Sequence, residues 1–309
     1  MMDEIRHRAL NWETLLRVTQ EAEAWEIFDA AEAAGIASDP LLLHSTFYAE
    51  RLDIDSSELG DAYLAIRPFY EEMDERIVIL DTESDHWPRS LSDGPSRLRF
   101  LYAQGTISML SSAMAAVIGT RTPSSEGRDR ATRSAASLGR SGFAIAAGLS
   151  SGVEAAAHRA ALDSGYPTIA VIATTHNAFY PLSHMGLQQE IARQALVISR
   201  FGPATKNEKV HLLLRNRMMS AISSVVVVVE DRNGGTAVRQ ATWARGIGKP
   251  IILFRQCVDD PALSWPTRFH KMSVIKRPQD VGRVARRLSG MKGEAKKDES
   301  TRAQLDLFL

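Results

Sequence analysis

A chain of 309 residues with 44% hydrophobic and 24% charged side chains can bury a full core, and its composition is that of an ordinary soluble protein rather than a disordered or fibrous one. It has no apolar run near the roughly 20 residues a membrane span needs, no apolar segment behind its first residues of the kind a secretory signal has, and only one cysteine, Cys257, which excludes an intrachain disulfide and suits a reducing cytoplasm. The formal net charge is zero, but residues 1–75 hold 5 Lys/Arg against 18 Asp/Glu and residues 76–309 hold 32 against 19. Such a split marks either an anion-binding part beside an acidic partner or cover, or two solvated faces that offset each other.

The first 75 residues read as helical throughout. Helical apolar spacing runs over 11–20 and 21–34, offering Trp25, Ile27, Phe28 and Ala31 to a core, and Gly35 is a natural C-terminal stop. Ser38-Asp39-Pro40 predicts a further helix start, and Asp55-Ser56-Ser57-Glu58 predicts the cap of a fourth helix running towards Glu72. The expectation is a small acidic helical domain, 1–75, serving packing or dimerisation. Strands follow at 77–80 and 98–103. From Ala115 strand and helix patterns alternate, which predicts βαβ units and an α/β fold with a parallel sheet. Strands are expected over 115–118, 143–147, 168–172, 196–199, 225–229 and 250–254, and helices over 125–140, 153–164, 184–194, 207–223 and 236–246. The run 225–229 is apolar on both faces, as a central parallel strand should be. An edge strand at 272–275 and a basic helix opened by Pro278, with Arg283, Arg286 and Arg287, complete a domain of residues 76–289. The tail 290–309 is polar and reads as disordered, although it ends on Gln304-Leu305-Asp306-Leu307-Phe308-Leu309.

Three strands end in breaks that can meet a ligand. They are Gly119-Thr120-Arg121, then Gly148-Leu149-Ser150-Ser151-Gly152, then Asp231-Arg232-Asn233-Gly234-Gly235-Thr236. In an open parallel sheet ligands bind beyond the carboxyl ends of the strands, so these turns are expected to share one edge. Glycines there let backbone N–H groups approach an anion, and the next helix N-terminus favours negative charge. No break carries a full G-x-G-x-x-G, so a dinucleotide cofactor is not expected, and tight turns without a ligand are the alternative. Arg215-Asn216-Arg217 lies within an otherwise apolar helix. Its guanidinium groups suit phosphates, and the alternative is a salt bridge to Glu230 or Glu208. His158 reads as a core histidine. Ser150 and Ser151 lack evident partners for nucleophilic catalysis, and no cluster has metal-site spacing, so no catalytic residue, metal or cofactor is assigned. Tyr180-Pro181, close to His176 and Phe179, is a candidate for base stacking or for packing.

With these landmarks in place, the chain resembles the DNA-processing protein A (DprA, or Smf) family. The resemblance rests on Trp87-Pro88, Leu101-Tyr102-Ala103-Gln104-Gly105, Val117-Ile118-Gly119-Thr120-Arg121, the run from Gly148 to His158, Tyr180-Pro181 and Arg215-Asn216-Arg217-Met218-Met219-Ser220, in the family's order. It implies an extended Rossmann-like domain with helices on both faces, binding of single-stranded DNA, homodimerisation, and delivery of DNA to a RecA-type recombinase. Arg121 matches the arginine of the family's glycine–arginine turn, and Arg215 and Arg217 match its arginine–asparagine–arginine helix. Ala147, Ser151 and Glu154 replace a serine, an often basic residue and an aspartate of the family pattern, and the C-terminal winged helix of many members is not seen. A divergent member acting in recombination, DNA processing or defence against phage and mobile elements is therefore expected. The alternative is a nucleotide sensor or a phosphoribohydrolase of the wider superfamily, whose hydrolases carry a glutamate where this chain has Arg239, and an arginine cannot do that acid–base chemistry. The terminal Gln304-Leu305-Asp306-Leu307-Phe308 resembles the pentapeptide by which bacterial proteins bind the sliding clamp. That likeness implies a leash presenting Leu305, Leu307 and Phe308 to an apolar pocket, with docking onto its own domain as the alternative.

Overall fold

The computed structural model describes residues 2–269 and 272–291. Helix α1 (Glu4–Val18) begins ahead of the apolar pattern at Asn11, because Asp3 caps it by accepting from the Arg6 N–H at 2.9 Å. Helix α2 (Glu21–Ala33) stops before Gly35, which is left-handed at φ +71°. After Pro40 the chain makes a 3-10 turn over Leu41–His44, then α3 (Ser45–Leu52) and α4 (Ser56–Glu71). Asp55 precedes α4 in extended conformation but makes no side-chain cap bond, contrary to the expectation from its sequence.

Strands β1 (Ile77–Leu80) and β2 (Leu101–Gly105) come next. They lead into β3 (Met114–Ile118), α5 (Ser125–Arg140), β4 (Ala144–Ala147), α6 (Val153–Asp163), β5 (Thr168–Val171), α7 (Met185–Gln194) and β6 (Leu196–Ser199). The chain continues through α8 (Val210–Ile222), β7 (Val225–Val228), α9 (Thr236–Gly246), β8 (Ile251–Phe254), the short α10 (Arg255–Asp259), β9 (Ser273–Ile275) and α11 (Val281–Ser289). Among the described residues nine strands form one sheet, in the order β1-β2-β6-β5-β4-β3-β7-β8-β9. The seven strands from β6 to β9 are parallel, and β2 runs antiparallel to both β1 and β6. Every residue of β3 to β8 is buried, which is why these strands read as unbroken apolar runs rather than alternating ones.

From β3 the chain steps one way through β4, β5 and β6. Helix α8 then returns it to β7 on the other side of β3, and it steps the opposite way to β8 and β9. Right-handed crossovers place α5, α6 and α7 on one face and α8 and α9 on the other, and α11 comes back against α5. The reversal falls between β3 and β7, so the crevice beyond their carboxyl ends is the switch point where such a sheet binds ligands.

The N-terminal helices share an apolar core with the antiparallel edge of the sheet. Trp12, Phe28, Tyr63 and Tyr70 lie in one cluster with Ile77, Ile79, Phe100 and Tyr102. The Tyr70 and Tyr102 hydroxyls are 2.6 Å apart, and Thr205 donates to Glu13 at 2.7 Å. The acidic helices also face arginines of the rest of the chain. Glu32 and Asp29 take Arg99, and Glu21 takes Arg200 at 2.9 Å. A buried aromatic side chain contributes roughly 2–3 kcal/mol and an ion pair whose carboxylate stays in contact with solvent about 0–1 kcal/mol, so the apolar cluster holds this layer in place and the ion pairs orient it.

Candidate nucleic-acid interface

The three glycine breaks do meet at one edge, since β4, β3 and β7 are adjacent and parallel. Thr120 N–H donates to the Glu230 carbonyl at 2.7 Å, and Val153 N–H donates to the Thr120 carbonyl at 3.2 Å. The glycines make this closeness possible. A Cβ at Gly119 would lie 2.5 Å from Val153 Cγ2, and one at Gly152, already at φ +82°, would lie 2.5 Å from the Thr120 carbonyl.

Gly148 serves a different purpose: a Cβ there would fall 1.4 Å from Arg215 Nη1. Arg215 reaches from α8 beneath the end of β4, with its side chain 5% exposed, and its partner is neither Glu230 nor Glu208 but Glu154 of α6, 7% exposed, at 3.2 Å. Ser150 N–H donates to the other Glu154 oxygen at 3.0 Å. Burial alone would raise the Glu154 carboxyl, but the Arg215 charge and the Ser150 donors hold it below its ordinary value. Arg215 therefore clamps the Gly148–Ser150 turn from below. Asn216 is buried beside it. Arg217 is half-buried near the Trp243 ring, 5.9 Å to the centroid, and has no carboxylate partner among the described residues. It stands on the α8 side of the sheet, apart from Arg121.

The third break is tied elsewhere. Asn233 donates to the Ala262 carbonyl at 2.8 Å and accepts from Ser264 N–H at 2.9 Å, and Trp265 donates to the Asp231 carbonyl at 3.0 Å. Gly234 and Thr236 are exposed, while Gly235 packs on the Asp231 carboxylate.

What lies open at this edge is a groove of about 640 Å³ over the exposed side of α6, between α5 and the start of α7. Ser151 and Gly152 form its head, Ala155, Ala156 and Ala160 its floor, and Arg121, Arg128 and Arg159 its basic margin. Arg159 pairs with Glu190. Arg121 and Arg128 are exposed and have no side-chain acceptor among the described residues. His184, held by the Leu149 carbonyl at 2.7 Å, brings the loop before α7 to the rim, where Tyr180 is 53% and Leu182 72% exposed. Of the residues expected at a site, Arg121, Ser151 and Gly152 line the groove, whereas Arg215, Asn216, Arg217 and the 234–236 turn do not. Arg128 and Arg159 were not singled out as site residues from the sequence. Their signal is the run of small residues on α6, which leaves room for long neighbours.

His158, as expected, is a core residue. Nε2 donates to the Gly148 carbonyl at 3.0 Å, and Nδ1 is 2.8 Å from Thr168 Oγ1. His176 is buried likewise and donates to the Tyr102 carbonyl at 3.0 Å. Burial pushes both imidazoles down to about 4, so both are neutral at pH 7. In the unfolded chain they titrate near 6.5, so between about 6.5 and 4 the unfolded state binds more protons, and stability falls as pH falls, by about 1.4 kcal/mol per pH unit for each histidine. Melting temperature is expected to drop across that window. His158→Gln combined with His176→Gln should flatten the profile, and an unchanged profile would refute the assignment.

An open α/β sheet with helices on both faces defines a Rossmann-like protein, and its arginine-lined groove lies over α6, headed by the turns that follow β3 and β4. Residues 78–274 match the model of the DNA recombination-mediator protein A family, and the chain belongs to that family. DNA processing protein DprA of Streptococcus pneumoniae is 34% identical over 204 residues, covering 66% of each chain. DprA of Bacillus subtilis is 28% identical over 193 residues, 62% of this chain and 64% of that one. A putative DprA of Mycobacterium tuberculosis is 31% identical over 186 residues, 56% and 48%. The chain thus spans about half to two thirds of the length of these relatives. The crystal structure of S. pneumoniae DprA superposes with a TM-score of 0.73 at 23% identity, covering 88% of this chain and 96% of that one. DNA processing protein A of Helicobacter pylori, described for its single-stranded DNA binding mode, gives 0.58 at 24%, covering 68% and 95%. Both show the shared fold.

Proposed function

We propose that this protein binds single-stranded DNA in the groove over α6 and acts without catalysis in DNA processing or recombination. The observation that carries the reading is the pair Arg121 and Arg128, exposed and without side-chain acceptors among the described residues, on the margin of the groove that opens beside the carboxyl ends of β3 and β4. A guanidinium held there suits a phosphate. The H. pylori relative binds single-stranded DNA, which supports the same ligand class. Arg159 is paired with Glu190, so the two free arginines correspond to a salt slope of about −1.4, and affinity for an oligothymidylate should fall about 7-fold between 50 and 200 mM salt. Fluorescence anisotropy with single strands, duplex and mononucleotides checks this, and preference for duplex or mononucleotide would refute the reading.

By the same family reading the protein is a cytoplasmic homodimer that delivers the strand to a RecA-type recombinase, in recombination or in defence against mobile elements. Gln304, Leu305, Asp306, Leu307 and Phe308 lie outside the described residues and are read as its link to the sliding clamp. Deleting 304–309 is expected to abolish capture by purified clamp and to leave oligothymidylate binding unchanged. Capture that survives the deletion would refute the link.

A further inference from the structure

The groove over α6 has two walls of different chemistry. Its floor runs from Gly152 at the head to Asp163 at the foot, about 16 Å at 1.5 Å per helical residue. On the α5 side stand the cations Arg121 and Arg128. The Asp163 carboxylate keeps phosphates towards the head. On the α7 side Ser183, His184 and Gly186 line the groove, and Glu190, the carboxylate that α7 brings to the floor, is neutralised by Arg159. The rim of this second wall is apolar. Tyr180, Leu182 and Met185 are all exposed, three large side chains within six positions, interleaved with the lining residues. The loop that carries them is braced. Thr174 Oγ1 donates to the Ala178 carbonyl at 2.8 Å, Ser199 Oγ donates to the Thr174 carbonyl at 2.7 Å, and His184 Nδ1 donates to the Leu149 carbonyl at 2.7 Å. Tyr180 is thus held in water between two fixed ends. Packing, the other role open to Tyr180-Pro181 from the sequence, does not account for a tyrosine more than half exposed.

Cations on one wall and an aromatic, apolar shelf on the other match a ligand with phosphates along one edge and flat apolar faces along the other. A single-stranded nucleic acid is such a ligand. In a duplex the base faces are stacked on one another, and only phosphates and groove edges are free. We propose that the loop before α7 is the base-stacking site of this groove. Tyr180 stacks a nucleobase, Leu182 and Met185 flank it, and the phosphates of the same strand lie on Arg121 and Arg128. The shelf, rather than the arginines, then selects a single strand, because guanidinium groups attract the phosphates of a duplex as well. The proposal rests on reading the groove as a single-stranded DNA surface and adds the residue that meets the bases.

The test compares the affinity of the full chain for an oligothymidylate and for an abasic deoxyribose–phosphate chain of the same length and charge. The parent should bind the oligothymidylate at least about fivefold more tightly, the lower end of what one stacked base contributes. Tyr180→Ala should bring that ratio close to one, and Tyr180→Phe, which keeps the ring, should retain it. A 2-aminopurine base within the oligothymidylate should be quenched at saturation by the parent and by Tyr180→Phe, and less by Tyr180→Ala. Equal affinity of the parent for the two chains overturns the stacking site and leaves phosphate binding on the arginines standing, and this comparison needs no variant to fold. A ratio retained by Tyr180→Ala places the bases off this loop and overturns the site as well. A parent that binds neither chain removes the DNA reading and the stacking site with it.

Discussion

Arg215→Ala is expected to cost about 3–5 kcal/mol, a large part of the roughly 5–15 kcal/mol that holds an ordinary domain together. The cost is not that of a lost surface ion pair. Glu154 would remain buried with its charge facing the void left by the guanidinium, and Gly148, which has no side chain, cannot fill that void. The turn carrying Ser150 would lose its support from below at the same time. Replacing both partners, as Arg215→Leu with Glu154→Gln, should recover most of the loss, because no uncompensated charge is left inside. Denaturant midpoints of the two variants check this. A single variant within about 1 kcal/mol of the parent would show that the pair contributes little. Gly148→Ala should resemble Arg215→Ala, since its Cβ displaces the same guanidinium.

Arg121→Ala with Arg128→Ala is expected to weaken oligothymidylate binding about 100-fold at physiological salt, taking each charge-assisted phosphate contact at roughly 1.5 kcal/mol. The salt slope should shrink by about 1.4 as two phosphate contacts are lost. Stability should barely change, because both side chains are exposed and neither has a side-chain acceptor among the described residues. The combination of lost affinity, flattened salt dependence and an unchanged melting temperature separates a binding role from a structural one. Arg217→Ala, by contrast, alters a residue away from the groove, and equal losses in both variants would place the ligand across the α8 face instead.

The alternation of strand and helix after Ala115 was legible because β3 to β8 are buried on both faces, which leaves continuous apolar runs broken by glycine. Helix 125–140 was legible to the residue, since Ser124 is a true N-cap that accepts from Gly127 N–H at 2.9 Å. The start of α1 was not, because Glu4 to Arg8 show little apolar periodicity and the helix there depends on the Asp3 cap and on packing. The sharing of one edge by the three breaks was also legible, from the rule that parallel strands present their carboxyl ends together.

The partner of Arg215 was beyond that reading. Glu154 lies 61 residues away and on the opposite face of the sheet, so their meeting depends on strand order, which no local pattern encodes. The groove was equally hidden. Whether Arg128 and Arg159 border an opening or pack on a neighbour depends on which side of α6 is left uncovered by α5 and α7. By itself the sequence determined the α/β class, the family and the edge where the three glycine breaks meet, because periodicity and glycine breaks are local consequences of burial on both faces. Only the tertiary structure decided which arginines support the turns and which stand exposed on the groove, and that Glu230 is tied to Ser124 and Arg130. Those outcomes turn on contacts between residues far apart in the chain, at distances of a few ångströms that follow only once the sheet is assembled.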